Sequence, residues 1–247
     1  MKIKRLETFI LIVGLVGFVC NVTSAESMVP GSYVCNKIYS SITIDGRVDE
    51  DVWRLADAIT NFYIYSPKDA EDVSLTVVRI LRDEETLYVS FECNDDDVWS
   101  SSSKGDASLW IGDCVELYIK PRTNNNTYFE LVVAPNGTLY DARYASRGAG
   151  GQDRFSSWSS GARVATTIQG TDGNWKDNDQ GYVAEMAVPL KVFAKDGASF
   201  CDEAWCFCAT RFDYSKSFEQ PLLLMSFPKS LHNGFHYYEG YNKLIFK

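Results

Sequence analysis

Leu109-Trp-Ile-Gly-Asp-Cys-Val-Glu-Leu-Tyr-Ile119 places one large aromatic, Trp110, just ahead of an alternating strand. Val115, Leu117 and Ile119 form its apolar face, and Cys114, Glu116 and Tyr118 form the opposite one. Side chains alternate across a strand, so one face enters a core and the other is free for function. A flat indole beside a fixed carboxylate suits a sugar ring. The indole covers the apolar C–H face of a pyranose, and the carboxylate accepts hydrogen bonds from neighbouring hydroxyls. The competing reading packs Trp110 into the core, where tryptophans usually bury most of their area.

The same alternation recurs outward from this stretch, and helical periodicity is scarce. Leu87, Val89, Phe91 and Cys93 share one face, and Phe129, Leu131 and Val133 another. Further strands read at Leu75–Arg82, Thr138–Tyr144, Arg163–Ile168, Tyr182–Val188, Ala204–Tyr214 and Lys243–Phe246. Turn formers separate them, including Thr123-Asn124-Asn125-Asn126 and Pro135-Asn136-Gly137. Short helices are expected at Asp49–Ala58 and Pro189–Phe193. The pattern predicts an all-β fold: an antiparallel β-sandwich of jelly-roll or immunoglobulin-like architecture with one or two short helices.

The first residues read as a secretory signal. Lys2, Lys4 and Arg5 precede an apolar run from Phe9 to Val19, and Thr23 and Ala25 supply the small residues of a cleavage site. The run is shorter than the roughly 20 residues a spanning helix needs. Gly17-Phe18-Val19 is too bulky for a lipobox before Cys20. Residues 1–25 are therefore expected to be a signal peptide, 26–40 a lead-in and 41–247 one sandwich domain, exported to the periplasm or beyond. The formal charge of the whole chain is −9, and cleavage makes it more negative. That acidity argues against nucleic acid and anionic lipid as partners.

Six cysteines follow residue 25: Cys35, Cys93, Cys114, Cys201, Cys206 and Cys208. Their spacing lacks a zinc knuckle, so buried or bridged thiols are expected. Ile42-Thr-Ile-Asp-Gly-Arg-Val-Asp-Glu-Asp-Val-Trp53 reads as structural, with Trp53 in the core. Asp95, Asp96 and Asp97 end another strand in an acidic loop. Asp95 and Asp97 are the candidate calcium ligands, set against a solvated turn, since calcium needs six or more oxygens from converging segments.

The order Ile-Asp-Gly-x-x-Asp-x-x-x-Trp, Leu-Tyr-Val-x-Phe, Asp-x-Asp-x-Trp and Leu-Trp-x-x-Asp-x-Val-Glu-Leu-Tyr-Ile resembles family-nine carbohydrate-binding modules. Tyr128-Phe129-Glu130, Gly137-Thr-Leu-Tyr-Asp-Ala-Arg143, Gly181-Tyr-Val-Ala-Glu-Met-Ala-Val-Pro189 and Gly240-Tyr241-Asn-Lys-Leu-Ile-Phe246 continue it, so the resemblance spans Ile42 to Phe246. It implies a sandwich, often calcium-bearing, that holds sugar chain ends between two aromatic rings. On that likeness Trp110 is one clamp, Glu116 the hydroxyl-binding carboxylate, and Phe235, next to His236, the second clamp, with Tyr237 or Tyr238 in reach of the same role. Tyr140, Asp141 and Arg143 are accessory polar candidates. The family's polar positions after Tyr128 fall on Val132 and Ala134, which implies altered specificity or lost binding. Trp158 and Trp175, in polar stretches, are either further platforms or loop anchors.

A secreted, non-catalytic binding protein for oligo- or polysaccharides, acting in carbohydrate catabolism, is therefore the leading expectation. A glycoside hydrolase would need two carboxylates about 5–10 Å apart, and no local sequence singles out such a pair. Nucleophilic triads lack support, with His232 and His236 the only histidines and no nucleophile elbow. Haem is not expected, because Met186 reads as core and His236 as loop. A structural or adhesive sandwich that has lost its sugar site is the remaining class.

Overall fold

The computed structural model describes residues 31–66, 74–121, 124–147, 158–194, 205–214, 223–229 and 234–247. The signal-peptide region, Cys201 and His232 lie outside the described residues. The described residues form twelve strands: β1 (Ser32–Lys37), β2 (Tyr63–Ser66), β3 (Thr76–Arg82), β4 (Thr86–Asn94), β5 (Cys114–Lys120), β6 (Tyr128–Val133), β7 (Leu139–Tyr144), β8 (Arg163–Gln169), β9 (Gly181–Pro189), β10 (Trp205–Asp213), β11 (Leu223–Phe227) and β12 (Asn242–Phe246). Its one described α-helix, α1, is Lys191–Ala194, and 3-10 turns cover Asp51–Leu55, Leu109–Ile111 and Tyr238–Gly240.

The strands make two layers. The first runs β7-β6-β5-β10-β12-β1, with β11 and β2 continuing from β10, and the second runs β1-β3-β4-β9-β8. Ser32–Cys35 of β1 pair with β12, and then Asn36 and Lys37 pair with β3, so β1 passes from one sheet to the other. Both of its pairings are parallel, whereas every other ladder is antiparallel. The expected antiparallel sandwich is thus mixed at this corner. Parallel neighbours are joined by long connections, which leave no hairpin signature in sequence. Ser32–Lys37, within the expected lead-in, pairs with strands of both sheets.

Between the layers lies the main core. Val78, Ile80, Val89, Phe91, Ala184 and Met186 face Val115, Leu117, Phe129, Leu131, Trp205 and Phe207. Two smaller clusters cover the outer faces. On the second sheet Ile38, Ile42, Leu81, Tyr88 and Ala187 pack under Trp53. On the first sheet the cover is aromatic: Tyr118, Tyr128, Tyr140, Tyr144, Phe235 and Tyr241, with Trp110 packed against them. Among the described residues Cys35, Cys93, Cys114, Cys206 and Cys208 are free thiols, and all but the half-buried Cys206 are buried. No helix among the described residues is long and apolar enough to cross a membrane.

The Ile42–Trp53 motif acts as a clamp. Backbone N–H groups of Asp45, Gly46 and Arg47 donate to Glu185 Oε2 at 3.1, 2.9 and 3.2 Å. Gly46 has φ +83°, and a Cβ there would sit 2.5 Å from the Thr166 carbonyl carbon, so only glycine fits this turn.

Candidate functional site

A cavity of about 550 Å3 opens on the outer face of the first sheet. Trp110, Tyr118, Tyr128, Tyr144, Phe235 and Tyr237 supply most of its aromatic wall, and Glu116 and Glu130 its carboxyls. The register explains why these residues meet. Glu116 pairs with Val132 on one side and Thr210 on the other, and Tyr118 pairs with Glu130 and Cys208. Directly paired residues share a face, so alternate residues of β5, β6, β7 and β10 all point outward from the sheet.

Trp110 is half-buried and lines the opening. Its ring meets the edge of Tyr140 at a centroid distance of 5.3 Å, and its carbonyl accepts the Tyr214 hydroxyl at 2.8 Å. Gly112 lets this turn approach its neighbour, since a Cβ there would lie 2.7 Å from Ser101 N. Phe235 lines the same cavity and packs on Tyr65 and Phe212 at 5.2 and 5.9 Å. The Phe235 carbonyl accepts the Tyr241 hydroxyl at 2.6 Å. His236 Nδ1 sits 2.9 Å from the Tyr128 hydroxyl. Trp110, Glu116, Phe235 and His236 are therefore brought together, with Tyr140 behind the indole.

Arg143 is not part of this group. It pairs with Phe129 in the β6–β7 ladder and so shares the core-facing side of the sheet, as does Asp141, which accepts the Ser160 N–H at 2.7 Å. The guanidinium in the cavity wall belongs to Arg147, which pairs with Glu239 and lies over the rings of Tyr237 and Tyr238 at 4.5 and 5.2 Å. Trp158 packs on Phe129 and Trp175 on Trp99, both away from the cavity. Val132 and Ala134 are fully buried in the aromatic cover.

Sequence reasoning missed Glu130, although it lies two residues before Val132 and so on the same face. The Tyr118 hydroxyl stands between the two carboxyls, 3.0 Å from Glu116 Oε2 and 2.8 Å from Glu130 Oε1. The Tyr144 hydroxyl donates to Glu130 Oε2 at 2.6 Å, and Thr210 donates to Glu116 Oε2. Both hydrogen bonds of Glu116 end on Oε2, which leaves Oε1 for a guest. Burial, reinforced by the nearby Glu130, pushes the Glu116 carboxyl up to about 8.

A second acidic cluster lies at the rim of the sandwich. Asp95, Asp113 and Asp213 bring carboxylate oxygens within 4.8 Å of one another, all buried. Asp97 belongs instead to a group with Asp95 and the exposed Asp96, and its N–H donates to Asp95 Oδ1 at 3.1 Å. Buried Arg211 pairs with Asp95 at 3.0 Å and Asp213 at 3.2 Å. Three carboxyls against one guanidinium leave surplus acidity, and burial pushes Asp95 and Asp113 upward. Asp213 Oδ2, the atom in that ion pair, makes no hydrogen bond besides it. An oxygen-only donor set with that surplus fits a hard cation such as calcium. The cluster also supports the cavity: Asp113 accepts the backbone N–H groups of Trp99 and Tyr214, each at 2.7 Å, and Tyr214 holds the Trp110 carbonyl.

Comparison with known proteins now adds to this geometry. The fold is similar to a candidate carbohydrate-binding protein from Bacteroides uniformis ATCC 8492, with TM-score 0.67 and 14% identity over 89% of this chain and 100% of that one. It is also similar to a family 9 carbohydrate-binding module from Caldicellulosiruptor kristjanssonii. The glucose complex of that module aligns with TM-score 0.57 and 16% identity, covering 87% of this chain and 95% of that one. Its cellotriose complex aligns with TM-score 0.56 and 16% identity, covering 87% and 93%. No curated protein matches this chain by sequence. Residues 44–205 match the family described as "Carbohydrate family 9 binding domain-like", and the chain belongs to that family.

Proposed function

We propose that this is a secreted, non-catalytic protein that binds glycans in the cavity on the outer face of the first sheet. The observation that carries the reading is the meeting of a half-buried indole, Trp110, with the Phe235 ring and the Glu116 carboxyl in one open pocket. Trp110 and Phe235 supply apolar faces for pyranose C–H groups. Glu116 Oε1 and Glu130 accept hydroxyl hydrogen bonds. Each such bond replaces one made to water, so affinity is modest and shape decides specificity. The glucose and cellotriose complexes of the Caldicellulosiruptor kristjanssonii module support a glucan chain end as the ligand. When bound, calcium would be held by Asp95, Asp113 and Asp213, where it would fix the loops behind Trp110 without taking part in sugar recognition.

Calorimetric titration with cello- and xylo-oligosaccharides, with and without calcium, tests the reading. Heat of binding that vanishes in Trp110→Ala is expected. Absence of heat with any glycan would leave only a structural sandwich. Release of reducing sugar would turn the Glu116–Glu130 pair into a candidate hydrolytic pair.

A further inference from the structure

Two carboxyls stand in the cavity with only neutral donors on them among the described residues. Glu116 and Glu130 contribute four carboxyl oxygens, and among the described residues the donors that reach them are neutral hydroxyls, from Tyr118, Tyr144 and Thr210. Among the described residues no ammonium or guanidinium pairs with either glutamate. The one guanidinium in the wall, Arg147, is engaged by Glu239 and by the faces of Tyr237 and Tyr238. His236 is held through Nδ1 by Tyr128. A hydroxyl of a wholly neutral sugar can donate to these carboxyls but brings no charge to them. A protonated amine brings three donors, no acceptor and the missing positive charge. The wall suits the same guest, because aromatic faces attract cations. The net charge of −9 also favours the approach of a cation over an anion.

We infer that the preferred ligand is a pyranose carrying a free, protonated amine, received by Glu116 and Glu130 beneath the aromatic wall. This rests on the sugar-binding reading above and narrows it to a substrate class.

The test titrates the full protein with three disaccharides of similar shape: the β-1,4 glucosamine dimer, its N-acetylated counterpart and cellobiose. At about pH 6 the free amine is protonated and the other two ligands are neutral; an ammonium guest would draw off the proton that burial holds on the Glu116 carboxyl, because a nearby cation favours its ionised form. The glucosamine dimer is expected to bind roughly tenfold tighter than either, the step of a charge-assisted over a neutral hydrogen bond. Glu130→Gln keeps the side-chain shape and should reduce that preference to near parity, with thermal unfolding reporting whether the variant folds. The comparison of acetylated with free amine in the unaltered protein needs no variant. Cellobiose binding as tightly as the glucosamine dimer would overturn the inference and leave the sugar reading intact. Failure of all three to bind would overturn both.

Discussion

The two outer faces of the sandwich are built from the same parts to opposite ends. Each presents a tryptophan on a short 3-10 turn and a buried glutamate on a central strand: Trp53 with Glu185 on the second sheet, Trp110 with Glu116 on the first. On the second sheet the tryptophan is 2% exposed, and three backbone N–H groups converge on the glutamate. That face is closed. On the first sheet the indole stays half-buried, the glutamate is held by side-chain hydroxyls, and a cavity remains. Both glutamates are held through Oε2 alone, and Glu185 Oε1 is buried without a hydrogen-bond partner, so the second face is closed by what covers it and not by saturated oxygens. On the first face the open cavity leaves the held carboxyl within reach of a guest.

Variants on the two faces should separate cleanly, and stability should respond most on the closed one. Trp53→Ala removes a buried indole and is expected to cost about 3–5 kcal/mol in denaturant unfolding. Sugar affinity of the folded fraction should be unchanged; a loss there would mean the faces are coupled. Trp110→Ala should do the reverse, lowering affinity by about tenfold or more, as truncated aromatic anchors do, with a smaller loss of stability.

The third prediction concerns pH. The Glu116 carboxyl is raised from 4.5 to about 8 by burial and by Glu130. Above the unfolded value the unfolded chain loses this proton while the folded chain keeps it, so stability declines with rising pH until the folded group also ionises. Glu116→Gln should therefore flatten the fall in unfolding free energy between pH 4.5 and about 8. An unchanged slope would assign the decline to other groups, Glu185 first among them, since burial raises it to about 7. The smallest effect is expected from calcium. Millimolar calcium should raise Tm by a few degrees through binding that only the folded state offers, and chelation should reverse it.

Much of this was legible in the chain because period-two alternation shows which residues share a face. The faces of β5 and β6 follow directly from Cys114–Ile119 and Phe129–Val133, and with them the placement of Glu116. The same rule puts Glu130 on the face of Val132 and Ala134, where the family's polar positions are lost. Arg143 falls on the opposite face. Its neighbour Tyr140 faces the site, but an odd step along a strand reverses direction. Ser32–Lys37 and Tyr63–Ser66 left little trace, being short strands whose partners lie far away in sequence. The Asp95–Asp113–Asp213 cluster draws on three separate segments, which no local pattern can join.

The corner strand β1 has a mechanical consequence. Because Ser32–Cys35 run parallel to Lys243–Phe246, the backbone enters this ladder at one end and leaves it at the other. A pull on the two flanks loads its hydrogen bonds in shear, all together, instead of peeling them one by one. A domain wired in this way resists unravelling under such a pull.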